Sequence, residues 1–293
     1  SSVPGKAAES AGPTEFTRNT PSGDGVTEIL IYLPLGVVAG VLAGLFGIGG
    51  GIIFVPVLLL AFEVIGIHGE LLAHLAIGTS LACVVFTGLS STLAHQRKGA
   101  VMWPWVIKMA PFLIAGGAIG GWTADQLPGQ ILIVMLGTFL LVMSFQLFIK
   151  NQVHSDGGVI RMPSIPVFAF AGTLTGWISS MMGIAGGALT VPFMTSHGAS
   201  VRYAIGTASA FGIPTALAGA ISFILAGLDH PGRPDWAFGY VYLPAFLGII
   251  ATSTVSARLG ARFAHALDQQ LLQRLFACFL AILSIRLIWN AVV

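Results

Sequence analysis

The stretch Gly36 to Pro56, GVVAGVLAGLFGIGGGIIFVP, returns in altered form at Gly172 to Pro192, GTLTGWISSMMGIAGGALTVP. A chain carrying one glycine-broken apolar block twice is built from two copies of one module, and its working site is expected where the copies meet. Of the 293 residues, 55% are hydrophobic and only 8% are charged, against about a quarter charged in a soluble domain. That balance places the chain in lipid, with room for roughly eight to ten membrane segments in one polytopic domain.

The formal net charge is +2 and the basic residues are scattered over short loops, which excludes a nucleic-acid footprint. Cys83 and Cys278 both sit inside apolar runs without CxxC or CxxH spacing, so they read as small buried hydrophobes, not as a disulfide or metal ligands. No cofactor and no metal are expected. Residues 1–26 are rich in Ser, Pro, Gly, Thr and charge and too poor in large apolar groups to offset the entropy of ordering, so they read as a flexible tail. No basic-then-apolar leader stands ahead of this tail, so the expectation is that any targeting peptide is removed or that the first membrane segment does the targeting.

Apolar length gives segments near 28–46, 50–66, 72–95, 101–124 and 130–150, and again near 165–182, 186–197, 202–227, 237–257 and 268–291. The expected fold is an all-α polytopic membrane protein of two homologous five-segment repeats. The first membrane repeat spans 27–151, a connecting loop 152–164, and the second repeat 165–293. The likeness between copies continues into the third segment, where AIGTS at Ala76 to Ser80 answers AIGTA at Ala204 to Ala208. Beyond that it thins, with Trp103 and Trp236 each opening a fourth segment and Leu127 and Leu267 each preceding a fifth.

A helical crossing needs about 20 apolar residues, yet the run from Gly186 is cut short by His197, Gly198 and Arg202. This segment is expected to cross only halfway. Gly49, Gly50 and Gly51 in one copy, and Gly186 and Gly187 in the other, put the most helix-averse residue short of proline where the chain would otherwise continue. Lipid cannot satisfy the freed amides and carbonyls, so such a break survives only if protein buries it or if it lines a cavity. Gly36, Gly40 and Gly44, four residues apart, read instead as one face for close helix packing.

Half-helices starting at about Gly50 and Gly186 would aim free amides and positive dipole ends into the protein, where an anion is welcome. Pro56 and Pro192 follow each break and shape the half-helix. Thr79, Ser80, Thr207 and Ser209, on the next segment of each copy, could add hydroxyl donors without burying a charge, or could bond only to their own helices.

Lys and Arg in short loops set orientation. With an odd number of sidedness changes per half, the repeats are inverted, and Arg97, Lys98, Lys150, Arg161, Arg202, Arg258 and Arg262 share one side with only Arg233 opposed. If each broken pair counts as one crossing, the halves are parallel and the charges divide more evenly. The charge rule favours inversion with the tail outside.

The motifs GLFGIGGGIIFVP at Gly44 to Pro56, HLAIGTS at His74 to Ser80, MGIAGGALTVP at Met182 to Pro192 and AIGTASAF at Ala204 to Phe211 resemble the TauE/SafE (TSUP) family of sulfite and organosulfur anion exporters. The resemblance carries most of the chain. It implies a multi-pass carrier of the cell membrane for a small sulfur-containing or organic anion such as sulfite, sulfoacetate or another sulfonate. Transport would run by alternating access at a mid-membrane site between the repeats, coupled to H+ or Na+. Ser180 stands where the first copy has Gly44, and Ala185 where it has Gly49, so the two half-sites are not expected to contact substrate equally.

Among the remaining ionisable residues, Lys108 and Arg286 lie near segment ends and read as snorkelling side chains. Arg202 could steer anions or anchor its end of the protein. His74 precedes AIGTS and has the titration range suited to proton coupling or a structural place. Glu63, His68 and Glu70 share a loop without metal-ligand spacing. No HExxH, no GxSxG and no membrane-embedded pair of carboxylates is present, which argues against an intramembrane enzyme. A passive anion channel remains the alternative, since duplicated half-helices also build pores.

Overall fold

A computed structural model of the chain describes residues 25–67, except 47–50, together with 69–149, 159–184, 186–264 and 269–292. The tail to residue 24, Gly49 and Gly50, His68, Lys150, Ala185, Leu267 and the loop residues 152–158 lie outside the described residues. So do the side chains of Arg258 and Arg262.

Ten helices make up nearly all of what is described: α1 Gly25–Phe46, α2 Gly51–Val64, α3 Leu71–Arg97, α4 Trp103–Asp125, α5 Gly129–Ile149, α6 Ile165–Met181, α7 Gly187–Ser196, α8 Val201–Gly227, α9 Leu243–Ala264 and α10 Gln269–Val292. Their apolar residues go all the way round instead of forming a stripe, as expected of helices bathed in lipid or in other helices. Five of them, α3, α4, α5, α8 and α10, are long and apolar enough to cross a membrane. At 1.5 Å per residue, the 10 residues of α7 reach only about 15 Å, half of a ~30 Å hydrocarbon layer.

Why α6 stops is visible in its last turn. Gly183 adopts φ 67°, its N–H donates to Ser180 O, and Ile184 N–H donates to Ser179 O. This is a Schellman closure, which needs a residue tolerant of the left-handed region. The chain then turns and restarts as α7 at Gly187. α2 restarts at Gly51, the matching position in the first copy.

The packing repeats with the sequence. α1 lies along α9 and α6 lies along α4, while α3 meets α8 and α5 meets α10. Gly36 faces Ile249 and Thr252 as Gly172 faces Met109 and Phe112. Gly40 faces Ser253 and Ser256 as Gly176 faces Leu113 and Gly116. These glycines let backbones approach to contact, so the close-packing reading holds for Gly36 and Gly40. Leu81 and Gly78 of α3 sit by Gly219 and Phe223 of α8, while Ser91 bonds Ser209 further along. Ser144 Oγ of α5 donates to Ala277 O of α10 at 2.8 Å, and Gly137 lies against Ile288. In both pairs residue numbers rise on one helix as they fall on the other. α3 and α8, and α5 and α10, therefore run antiparallel.

Two expectations need correction. Of the two cysteines only Cys83 is buried, while Cys278 is exposed. Trp236 does not open a helix: it sits in a turn at φ 65°, ahead of a two-stranded hairpin, β1 Ala237–Phe238 and β2 Val241–Tyr242. Gly239, at φ 59°, takes the first turn position, where primed hairpin turns favour glycine. α9 starts only at Leu243, so Leu243–Pro244, not Trp236, answers Trp103–Pro104. Proline in the first turn suits a helix start in both copies.

The described side chains divide by charge. Arg97, Lys98, Lys108, Arg161, Arg202 and Arg274 lie at one end, with the α3–α4 corner and the starts of α6, α8 and α10. Glu63, Glu70, Asp125, Asp229 and Asp235 lie at the other, accompanied by Arg233 and Arg286. Arg286 reaches Glu63 at 3.7 Å. We call these the basic and acidic ends.

Candidate functional site

The AIGT motif docks one half onto the other. Thr79 Oγ1 accepts the N–H of Tyr242 at 2.9 Å, and Thr207 Oγ1 accepts the N–H of Met102 at 3.0 Å. Each of those amides stands one residue before the fourth helix of the opposite half, where no helical carbonyl exists to receive it. The preceding glycines make room. A Cβ at Gly78 would stand 2.5 Å from Tyr240 O, and one at Gly206 would overlap the carbonyl of Ala100. Both threonines are fully buried, and in these bonds their oxygens accept, which leaves each hydroxyl proton still to donate.

Ser80 and Ser209 behave differently from one another. Ser80 Oγ donates to Gly183 O at 2.7 Å, so a first-half side chain holds the second-half break. The matching position in the second half is Ala208, which cannot return the bond. Ser209 Oγ donates to Ile205 O within α8 and meets Ser91 Oγ at 3.1 Å.

The start of α7 is lined by polar groups. Leu189 N–H and Thr190 N–H donate to Gly186 O, while the amides of Gly187 and Ala188 find no backbone acceptor among the described residues. Gly187 and Ala188 are half-buried, not sealed. Around them stand Thr175 and Ser179, the nearest side chains to Gly186, and Thr190, whose hydroxyl donates to Gly186 O at 2.9 Å. The break also touches the other half, with Gly183 against Val55 of α2 and Ile77 of α3. Gly51 heads α2 and is buried.

Sequence reasoning passed over Thr175, Ser179 and Thr190. The signal was present, because the first copy carries Ala39, Ala43 and Phe54 at the matching positions. At these three positions the second copy carries hydroxyls and the first does not. A shallow indentation between α2, α3 and α5, without room for a water molecule, is lined by aliphatic residues such as Val55, Leu59 and Leu136 and offers an anion nothing. No group of three His, Cys, Asp or Glu that could hold a metal occurs among the described residues.

Arg202 and His74, which occupy matching positions two residues before AIGT, part ways. Arg202 is exposed and donates to Lys98 O at 2.6 Å at the basic end. His74 is buried at the acidic end, with both ring nitrogens against carbonyl oxygens. Lys108 is exposed, its Nζ against Met162 Sδ.

The model of the TauE/SafE sulfite exporter family matches residues 32–287, nearly the whole helical body just described. The chain belongs to this family. A probable membrane transporter protein of Haemophilus influenzae is 36% identical over 89% of this chain and 98% of its own length. Probable membrane transporter proteins of Methanocaldococcus jannaschii and Bacillus subtilis are 25% and 26% identical, over 88% and 90% of this chain and 96% and 98% of their own. As a TauE/SafE member with five long apolar helices, the chain is a multi-pass membrane transporter of the cell membrane.

Proposed function

We propose that the chain is a secondary transporter that exports a small sulfur-containing or organic anion, such as sulfite, sulfoacetate or another sulfonate. The observation that carries this reading is the start of α7, where the amides of Gly187 and Ala188 have no backbone acceptor among the described residues and the positive end of a helix dipole lies beside Thr175 and Ser179. Neutral donors there hold an anion without the cost of a buried cation. Gly186 and Gly187 supply backbone, and Thr175 and Ser179 supply hydroxyls, while the Thr190 proton is committed to Gly186 O. Gly49, Gly50 and Gly51 form the weaker counterpart from the first half.

The basic end faces the cytoplasm by the charge rule. Arg202 and its neighbours gather anions there, and the antiparallel halves form inverted repeats that rock to release them beyond the acidic end. The family description supports sulfite as the first substrate to try.

The test is sulfite flux in sealed proteoliposomes. Accumulation against a gradient, or counterflow, identifies a carrier, whereas flux that only dissipates the gradient identifies a pore. Gly187→Leu fills the space at the start of α7 and should abolish flux while the protein still purifies as a folded species. Undiminished flux in that variant would remove the anion from the start of α7.

A further inference from the structure

His74 is 5% exposed, and its ring is held between two acceptors. Nδ1 lies 3.2 Å from Glu70 O, and Nε2 lies 3.1 Å from Ala124 O at the end of α4. A carbonyl oxygen only accepts. A neutral imidazole carries one N–H and one bare lone pair, so in this packing it would press that lone pair against a carbonyl. The doubly protonated ring satisfies both contacts.

We propose that His74 is a proton-binding site whose bound proton ties the start of α3 to the end of α4, and that this proton is the coupling ion of the transporter. The transport half of the proposal rests on the carrier reading above; the site itself does not.

A buried cation needs compensation, and three groups provide it. Ala124 O belongs to the last turn of α4, the negative end of that helix. The ring of Tyr240 stands 5.2 Å from the His74 ring, within cation–π range. Tyr240 in turn donates to Asp125 Oδ1 at 3.0 Å, bringing a carboxylate into the chain of contacts. Opposing them is the positive start of α3 itself. The other titratable groups are Glu70, exposed at the head of α3, and those of the loop after α8. There His230 stacks 6.1 Å from Tyr240, with Asp229, Arg233 and Asp235 beside it in sequence. α5 presents Gly129 to the Glu70 carbonyl and adds no charge. Glu63 of α2 pairs with Arg286.

The repeat supplies a second argument. The position matching His74 in the other half is Arg202, a permanent cation that also donates to a backbone carbonyl, Lys98 O. Both halves thus set a basic side chain against a backbone carbonyl in this slot. Only the His74 slot can release its charge, and it lies where first-half helices meet the second-half hairpin.

The experiment has two arms. In the first, ¹⁵N-histidine NMR of the purified wild type at neutral pH reads the ring state directly. The His74 signals are assigned by their loss in His74→Arg or, if that variant does not fold, by elimination with the other six histidines, one at a time. Two protonated ring nitrogens are expected; a single-proton tautomer overturns the site. In the second, sulfite flux and melting temperature are followed from about pH 5 to about pH 9, the range in which histidine changes charge. On the alkaline limb, wild-type flux should fall up to about tenfold per pH unit, the limit for one proton. His74→Arg should stay within about twofold across the range, and His230→Gln should keep the wild-type profile. Equal profiles for wild type and His74→Arg overturn the coupling. Absence of sulfite flux in every protein would instead count against the anion reading and leave the NMR result to decide the proton site.

Discussion

The two AIGT corners and the two glycine-rich stretches each recur in the sequence, and the members of the two pairs differ to different degrees. At the corners, Thr79 with Tyr242 N–H and Thr207 with Met102 N–H make the same bond in the same place. At the breaks, the second copy has Thr175, Ser179 and Thr190 where the first has Ala39, Ala43 and Phe54. Ser80 holds Gly183, whereas Ala208 offers nothing in return. The difference separates two jobs. Backbone docking between halves tolerates little change, because a buried amide must find an acceptor. The lining of a break tolerates change, and in a substrate site it is where change is useful.

The largest expected effect tests whether the corners are equivalent. Gly78→Val and Gly206→Val drive a branched side chain into the carbonyls of Tyr240 and Ala100. Each should cost about 3 kcal/mol or more, the upper range for overpacking, read as loss of cooperative melting in detergent. Gly187→Ala meets nothing closer than Ala208 Cβ at 3.9 Å and should melt within about 1 kcal/mol of wild type. If one corner glycine tolerates valine, the docking is one-sided and the symmetry is only superficial.

Next come the threonines. Thr79→Val and Thr207→Val each leave a buried amide without its acceptor, which costs about 1–3 kcal/mol, while Thr→Ser at either position keeps the oxygen. Equal losses in the two valine variants sharpen the comparison. Weakened anion binding with unchanged melting would break it, by moving the hydroxyls from docking to substrate.

Much of this was legible beforehand, and the reasons are local. Consecutive glycines mark a helix break whatever surrounds them, so the starts of α2 and α7 fell within a residue of expectation. Hydropathy alone could not separate Ala237–Tyr242 from a helix, because alternating aromatics in a hairpin are as apolar as a membrane segment. The Trp103–Pro104 and Leu243–Pro244 pair carried the correct register. Thr79 and Thr207 were visible as a recurring pair, yet their partners lie 163 and 105 residues away, a relation that no local pattern contains.

A smaller effect is expected at the break. Ser80→Ala removes one hydrogen bond to Gly183 O and should cost about 1 kcal/mol, with faster amide hydrogen exchange confined to α7 and the turn before it. Ala208→Ser, at the matching position, should change little. Uniform exchange throughout the protein would mean that Ser80 supports the whole fold instead of the second break.

The smallest effect distinguishes the two corners by pH. The residue whose carbonyl meets the corner glycine is titratable at the acidic end, Tyr240, and not at the basic end, Ala100. Burial, then the Asp125 carboxylate beside it and the hydrogen bond Tyr240 donates there, push the phenol above its ordinary range. A group raised in the folded state keeps its proton there after the unfolded chain has lost it. Its contribution is therefore complete below the unfolded value of about 10 and declines as pH rises beyond that. Tyr240→Phe removes both the bond to Asp125 and this titration. At neutral pH it should lower stability by about 1 kcal/mol, and between about pH 9 and pH 11 it should lose less further stability than the wild type does. Parallel curves for the two proteins would mean that Tyr240 ionises as freely folded as unfolded, leaving Asp125 without influence on the corner.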